Sequence, residues 1–322
     1  MDNLLEVKSL KKYFKSGGGL LHAVEDVSFS VREGQTLGIV GESGCGKSTL
    51  GRVILGLLEA TDGQVIYQGK DITHASKKER YELRKNMQII FQDPFSSLNP
   101  RMSVSELIAE PLKIYKVFKT REELNARVKE IMEVVGLSER LANAYPHELD
   151  GGRRQRIGIA RALTLEPKFI VCDEPVSALD VSIQAQVLNL LQDLQETQGL
   201  TYIFITHDLS VVNHISDDIL VMYLGCVVET CNTDELFERQ LHPYTKGLLS
   251  SIPIPSVEDE DRAARQIMRG ERSSPINPKP GCRFKNRCEY ATEECGRVQP
   301  ILEEIVPGHF VACHHVREIN NL

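Results

Sequence analysis

The chain has 322 residues, 41% of them hydrophobic and 26% charged, with a net charge of -7, a composition for a globular protein of one large domain plus an appendage, or of two domains. The acidic balance offers no global attraction to nucleic acid, and no apolar run reaches the roughly 18 residues of a membrane span. Met1-Asp2-Asn3-Leu4-Leu5-Glu6 lacks the basic flank and apolar stretch of a signal peptide, and the eight cysteines are too unevenly placed for a disulfide-stapled secreted domain, so a cytosolic protein is expected.

Residues 4 to 33 alternate apolar and polar positions in two runs, Leu5 to Lys8 and Val24 to Val31, separated by the turn-rich Ser16-Gly17-Gly18-Gly19. That pattern predicts antiparallel strands. Tyr13 and Phe14 end the first run, where a ring either fills the core or stacks on a nucleotide base. Lys8, Lys11, Lys12 and Lys15 read most simply as a solvated face.

The apolar stretch Thr36 to Val40 then runs into Gly41 to Thr49, GESGCGKST, and on into Leu50-Gly51-Arg52-Val53-Ile54. This is the phosphate-binding pattern G-x-x-x-x-G-K-[ST] between a strand and a helix. Gly44 and Gly46 let backbone N–H groups turn inward, and the helix aims its positive dipole end at an anion. Lys47 is placed to reach the β- and γ-phosphates and the Ser48 hydroxyl to ligate Mg2+.

Thr61 to Ile72 contains Asp-Gly and Gly punctuation between short strands. A polar helix over Lys77 to Lys85 leads into a buried strand, Met87 to Phe91, ending at Gln92-Asp93-Pro94. A polar side chain at the carboxyl end of such a strand lies where ligands bind in an open α/β sheet, so Gln92 is a candidate for contact with Mg2+ or an attacking water. Residues 103 to about 165 show helical periodicity (Ile108, Leu112, Ile114; Val128, Ile131, Met132, Val135) and predict a mainly helical insert. Within it Leu149-Asp150-Gly151-Gly152-Arg153 opens a helix, a second candidate phosphate site.

Phe169 to Cys172 is a short apolar run tipped by Asp173-Glu174. Burying adjacent acids without a cation is costly, and a strand-end Asp with a P-loop is the expected Mg2+ partner, while the next acid can orient or deprotonate water. Ser177-Ala178-Leu179-Asp180 follows on a turn, and the apolar strand Tyr202 to Thr206 ends in His207-Asp208. His207 is expected to share the sheet edge with Gln92 and Asp173. From Ser256 onward the composition shifts to acids, prolines and arginines, and Pro275, Pro278 and Pro280 mark an extended wrap. Cys282, Cys288, Cys295 and Cys313 place four thiols in a segment that reads as poor in core, and such a segment needs a staple. Zinc favours tighter C-x2-4-C pairs, the looser spacing suits a 4Fe-4S cluster as well, and unliganded thiols remain the third reading. His314 and His315 are further possible zinc ligands.

Taken together and in this order, these pieces resemble the nucleotide-binding subunits of ABC transporters, most closely the second ATPase of oligopeptide and dipeptide importers. GESGCGKST matches the Walker A motif, Gln92 the Q-loop, Phe169 to Glu174 the Walker B with its catalytic glutamate, Ser177 to Asp180 the D-loop and His207 the switch histidine. The likeness extends through His242-Pro243-Tyr244-Thr245-Lys246 and Ser274 to Cys282. It implies an α/β fold: a P-loop ATPase core with an antiparallel β portion and a helical insert at about 93–165 within 1–250, and a small Cys-rich C-terminal extension over 251–322. It implies ATP held by Gly41, Ser43, Gly44, Cys45 (through its backbone), Gly46, Lys47, Ser48 and Thr49, with Phe14 stacked on adenine. It further implies Mg2+ on Ser48, Gln92 and Asp173, catalysis by Glu174, His207 and Gln92, Asp180 at the nucleotide, and a 4Fe-4S cluster on the four tail cysteines, zinc being the alternative. The implied partners are a second ATPase subunit in a heterodimer, two membrane permeases and, indirectly, an extracytoplasmic peptide-binding protein, with no nucleic acid. The implied location is the cytoplasmic face of the cell membrane.

One position departs from the family pattern. The signature LSGGQ reads here Leu149-Asp150-Gly151-Gly152-Arg153, and in the family this motif meets the γ-phosphate held by the opposite subunit. A carboxylate about 4 Å from a phosphate charge costs on the order of 4 kcal/mol at an effective dielectric of 20, an amount that Arg153 and Arg154 can offset in part. Asp150 turned away from the phosphate is the alternative; otherwise an asymmetric pair is expected, in which this chain's own site hydrolyses ATP and the site completed by Asp150 is weak. The rivals are a largely non-catalytic ATP-gated subunit and a soluble ABC-type protein acting on nucleic acid.

Overall fold

A long hairpin forms the N-terminus, because its alternating residues give each strand one apolar face. β1 (Asn3–Ser16) pairs antiparallel with β2 (Gly19–Arg32), Val7 opposite Phe29 and Leu5 opposite Val31. Leu5, Val7, Leu10, Val24, Val27 and Val31 are buried. The computed structural model describes residues 3–250, 270 and 273–322. They fall into two units, the first made of Met1–Arg32, Thr36–His74 and Phe204–Leu322, the second of Glu33–Gln35 and Ala75–Ile203.

In the first unit β3 (Thr36–Val40), buried at every position, delivers the chain to the Gly-rich loop and α1 (Lys47–Ile54). β4 (Asp62–Tyr67) and β5 (Lys70–Asp71) complete an antiparallel sheet in the order β2-β1-β4-β5. The Lys residues of β1 lie where a solvated face puts them: Lys8 meets Glu6 at 2.9 Å and Lys11 meets Asp62 at 3.6 Å.

The second unit opens with α2 (Lys77–Asn86), started by a Ser76/Glu79 capping box, and β6 (Met87–Ile90). Four helices follow: α3 (Pro94–Ser97), α4 (Val104–Ile114), α5 (Arg121–Val134) and α6 (Gly151–Leu163). Ser103/Glu106 and Thr120/Glu123 capping boxes start α4 and α5, each satisfying two otherwise orphaned backbone N–H groups. Ile108 and Leu112, four residues apart, are buried, whereas Ile114 is 57% exposed, since six residues of α-helix carry it off their stripe. β7 (Phe169–Asp173) pairs parallel with β6, and α7 (Val181–Gln198) ends at Gly199 in the left-handed region.

β8 (Thr201–Thr206) returns the chain to the first unit. There α8 (Leu209–Ile215), β9 (Asp218–Tyr223), β10 (Cys226–Asn232), α9 (Thr233–Glu238) and α10 (Pro243–Leu249) precede β11 (Glu303–Val306), β12 (His309–Val311) and α11 (Val316–Asn320). These strands lie in the order β11-β12-β10-β9-β3, with β3 and β9 parallel. The shift in composition from Ser256 lies outside the described residues, as does the start of the expected extension at 251.

Residues 273–322 belong to the first unit and share its core, which corrects the reading of a core-poor segment. Phe284, 2% exposed, sits among Val40, Tyr223 and Tyr244, its ring 5.2 Å from that of Tyr223. Val311 and Val316 pack with Leu241. His309 Nε2 meets the Glu229 carboxylate at 2.8 Å with both side chains fully buried, and that carboxylate also accepts from the N–H groups of Leu241 and His242. A buried charge is tolerated when its lone pairs are filled in this way. Among the described residues no helix is long and apolar enough to cross a membrane.

Candidate functional site

The phosphate-binding loop is built on backbone that only glycine adopts freely. Gly41 and Gly46 have φ of +148° and +109°, and a Cβ on them would lie 2.2 Å from the Met222 carbonyl oxygen and 2.0 Å from that of Ala23. Any side chain there would push the loop off β9 and β2. Gly44, at φ +79°, faces open space instead. Lys47 is 4% exposed, and its ammonium donates to the carbonyls of Gly41 at 2.6 Å and Glu42 at 3.2 Å. It is thus stationed inside the loop and dry, where a charge interacts strongly with a ligand. Ser48 and Thr49 lie half-buried in the first turn of α1 and Ser43 is exposed in the loop. Cys45 is buried, and burial pushes its thiol up against the pull of Lys47.

Glu42 is held from two sides. Its N–H donates to the Tyr244 hydroxyl at 2.9 Å, and its carboxylate accepts from Arg287 Nη1 at 3.0 and 3.1 Å. Sequence reasoning missed Arg287, because 245 residues separate it from Glu42 and no local pattern records such a pairing.

At the hairpin, the Tyr13 hydroxyl donates to Glu25 at 2.7 Å and its ring stacks on His22 at 4.0 Å. The Phe14 ring, half-buried, has the Lys12 ammonium 4.8 Å from its centroid. His207 stands exposed just beyond β8, and Asp208 caps α8.

In the second unit, Gln92 Nε2 donates to Glu174 Oε2 at 2.6 Å. Asp173 is 2% exposed at the end of β7. Glu174, the next residue, has φ +49°, a left-handed conformation that a non-glycine residue adopts at a cost and that is concentrated at functional sites. Its carbonyl accepts from Ser177 Oγ at 3.1 Å, and Asp180 is the exposed N-cap residue of α7. Asp150 is the N-cap of α6: its side chain accepts from the Arg153 N–H at 2.8 Å, and Arg153 Nε lies 3.5 Å from Oδ2. Gly152 is there for packing, since a Cβ would lie 2.6 Å from Ile183 Cγ2 of α7. Gly151 is half-buried, Leu179 lying 3.2 Å from its Cβ position.

Cys282, Cys288, Cys295 and Cys313 line one pocket, walled also by His242, Phe284 and Ile319. Burial and, secondarily, the neighbouring thiols push both Cys282 and Cys313 up to about 11. The fold thus gathers the four thiols at one pocket, and burial keeps Cys282 and Cys313 protonated. Among the described residues, no cluster of three or more His, Cys, Asp or Glu side chains is arranged to hold a metal ion.

The profile of the ABC transporter family matches residues 24–177, and that of the oligopeptide/dipeptide transporter C-terminal region matches residues 228–295. A putative oligopeptide transport ATP-binding protein of Bacillus subtilis is 54% identical over 98% of this chain and 96% of its own length. The oligopeptide transport ATP-binding protein OppF of Salmonella typhimurium is 54% identical over 96% and 92%. Among solved structures, cbiO1 of Clostridium perfringens, part of the ABC transporter complex cbiONQ, is 30% identical with a TM-score of 0.67, covering 74% of this chain and 92% of that one. The cassette MJ0796, solved as a dimer after hydrolysis with ADP and Pi, is 31% identical with a TM-score of 0.65, covering 71% and 98%. With a P-loop of this geometry and relatives matched end to end, the chain belongs to the ATP-binding subunits of oligopeptide ABC transporters.

Proposed function

We propose that this chain binds MgATP, hydrolyses it, and so energises peptide uptake through a membrane permease. The observation that carries the reading is the dry Lys47 ammonium on the loop carbonyls of Gly41 and Glu42, a cation already stationed for a polyphosphate. Lys47 exchanges those carbonyls for β- and γ-phosphate oxygens, and the loop amides from Gly41 to Thr49 cradle the rest. Phe14 stacks on adenine. Ser48, Gln92 and Asp173 are hard oxygen donors that suit Mg2+ and would hold it; the ion neutralises phosphate charge. Glu174 accepts the proton of a water that attacks the γ-phosphorus, while ADP departs with the bridging oxygen. Gln92 supports this step by fixing one Glu174 oxygen at 2.6 Å, and His207 donates to the γ-phosphate as charge shifts.

A dimer of the kind seen for the cassette MJ0796 supplies the remaining groups. In a heterodimer with a second ATPase subunit, Gly151, Gly152 and Asp180 of this chain face the partner's nucleotide. The ATPase pair sits at the cytoplasmic face of the membrane, where two transmembrane permeases, fed by an extracytoplasmic peptide-binding protein, complete the importer. Cys282, Cys288, Cys295 and Cys313 would hold a 4Fe-4S cluster, or zinc, which supplies a covalent staple for the tail. Iron and sulfide in the anaerobically purified chain test the cluster. For the activity, Glu174→Gln in the assembled importer is expected to lower ATP turnover by about 10^2- to 10^4-fold, the span of general-base catalysis, with ATP binding retained. Unchanged turnover would favour the non-catalytic subunit instead.

A further inference from the structure

We propose that Arg287 is a positioning residue of the phosphate-binding loop, acting through the carboxylate of Glu42. The inference rests on the ATP-binding reading of that loop and goes beyond it, since Arg287 lies in the C-terminal segment.

Glu42 puts a carboxylate into a loop that must receive a polyphosphate, which is an electrostatic liability unless the charge is answered. Arg287 answers it from 3.0 and 3.1 Å, with the two side chains only 9% and 15% exposed, so solvent and salt screen the pair little. Position is governed as well as charge. The Glu42 carbonyl is one of the two acceptors of the Lys47 ammonium, and the Glu42 N–H is anchored to the Tyr244 hydroxyl. Fixing Glu42 therefore fixes where Lys47 waits.

Arg287 is itself placed by core packing. It ends a short turn, Lys285–Arg287, flanked by buried Phe284 and by Cys288 of the four-cysteine pocket. Its guanidinium lies 5.9 Å from the ring centroids of Tyr223 and Phe284. Further up the segment, Arg283 meets Glu25 of β2 at 3.3 Å, and the Asn277 side chain donates to the Gly18 carbonyl in the hairpin turn and accepts from the Leu20 N–H at the start of β2. The C-terminal segment thus grips the P-loop and the hairpin that precedes it.

The test is the dissociation constant of a fluorescent MgATP analogue, with competition by ATP, on the full chain. Arg287→Ala is expected to weaken binding about tenfold, within the range of coupled charge pairs, and to cost less than about threefold when Glu42 is already Gln. Arg287→Lys, which keeps the charge, is expected to restore most of the affinity. Binding within twofold of wild type in Arg287→Ala, or an equal loss in both Glu42 backgrounds, would overturn the proposal, because packing alone does not depend on the Glu42 charge. Should Arg287→Ala melt at the assay temperature, Arg287→Gln takes its place with the same two outcomes. A wild-type chain indifferent to the probe, and no different from Lys47→Ala, would overturn the ATP reading and this proposal with it.

Discussion

Asp150 tests the electrostatics of the paired sites because its two roles separate cleanly. As the N-cap of α6 its carboxylate takes the Arg153 N–H at 2.8 Å. Ser and Asn cap about as well as Asp, whereas Ala loses about 1 kcal/mol. As a charge it opposes the γ-phosphate of the partner's nucleotide by up to about 4 kcal/mol at 4 Å. Arg153, 3.5 Å away with both side chains about half exposed, returns no more than about 1 kcal/mol, as an exposed pair does. The remainder is at most about 3 kcal/mol, and solvent screening at so open a position lowers it further, so an effect on the order of tenfold on rate is expected. The assay is single-turnover ATP cleavage in the assembled importer, with Glu174→Gln silencing this chain's own site. Asp150→Ser and Asp150→Asn are expected to raise the residual cleavage about tenfold with the melting temperature unmoved, and Asp150→Ala to do so with a lower one. Equal cleavage in wild type, Ser and Asn variants would refute the argument from charge.

Three further outcomes are expected. Gly152→Ala places a methyl 2.6 Å from Ile183 Cγ2; overpacking of about 1–3 kcal/mol outweighs the helix propensity gained, about 1 kcal/mol, so thermal unfolding should begin earlier. Phe284→Ala empties a site that is 2% exposed and should lower unfolding free energy by about 3–5 kcal/mol, read by denaturant titration; a loss under about 1 kcal/mol would mean the tail is not part of the first unit's core. Burial pushes His242 down to about 4 from its ordinary 6.5. It folds neutral, so the unfolded chain binds the extra proton, and stability is lost as pH falls from 6.5 toward 4, by about 3 kcal/mol in all. Chemical denaturation at pH 7 and pH 4.5 checks this, and His242→Asn should flatten part of the slope.

Much of the site was legible because its parts are local. A strand, a Gly-rich loop and a helix start within one stretch dictate the P-loop, since Gly41 and Gly46 are the residues that tolerate its φ angles and close contacts. Asp173 and Glu174 are likewise legible as polar residues tipping an apolar strand. Tertiary structure decided what depends on distant partners. The tail reads as core-poor because its own apolar residues are few; the fold supplies Val40, Tyr223 and Tyr244 to surround Phe284. Asp150 reads as a charge at a helix start that nearby arginines can offset, and folding adds that its carboxylate takes the Arg153 N–H. Glu42 reads as an arbitrary letter of a loop motif, and only folding brings Arg287 to it, because ion pairing depends on separation in space and leaves no period or spacing in the chain.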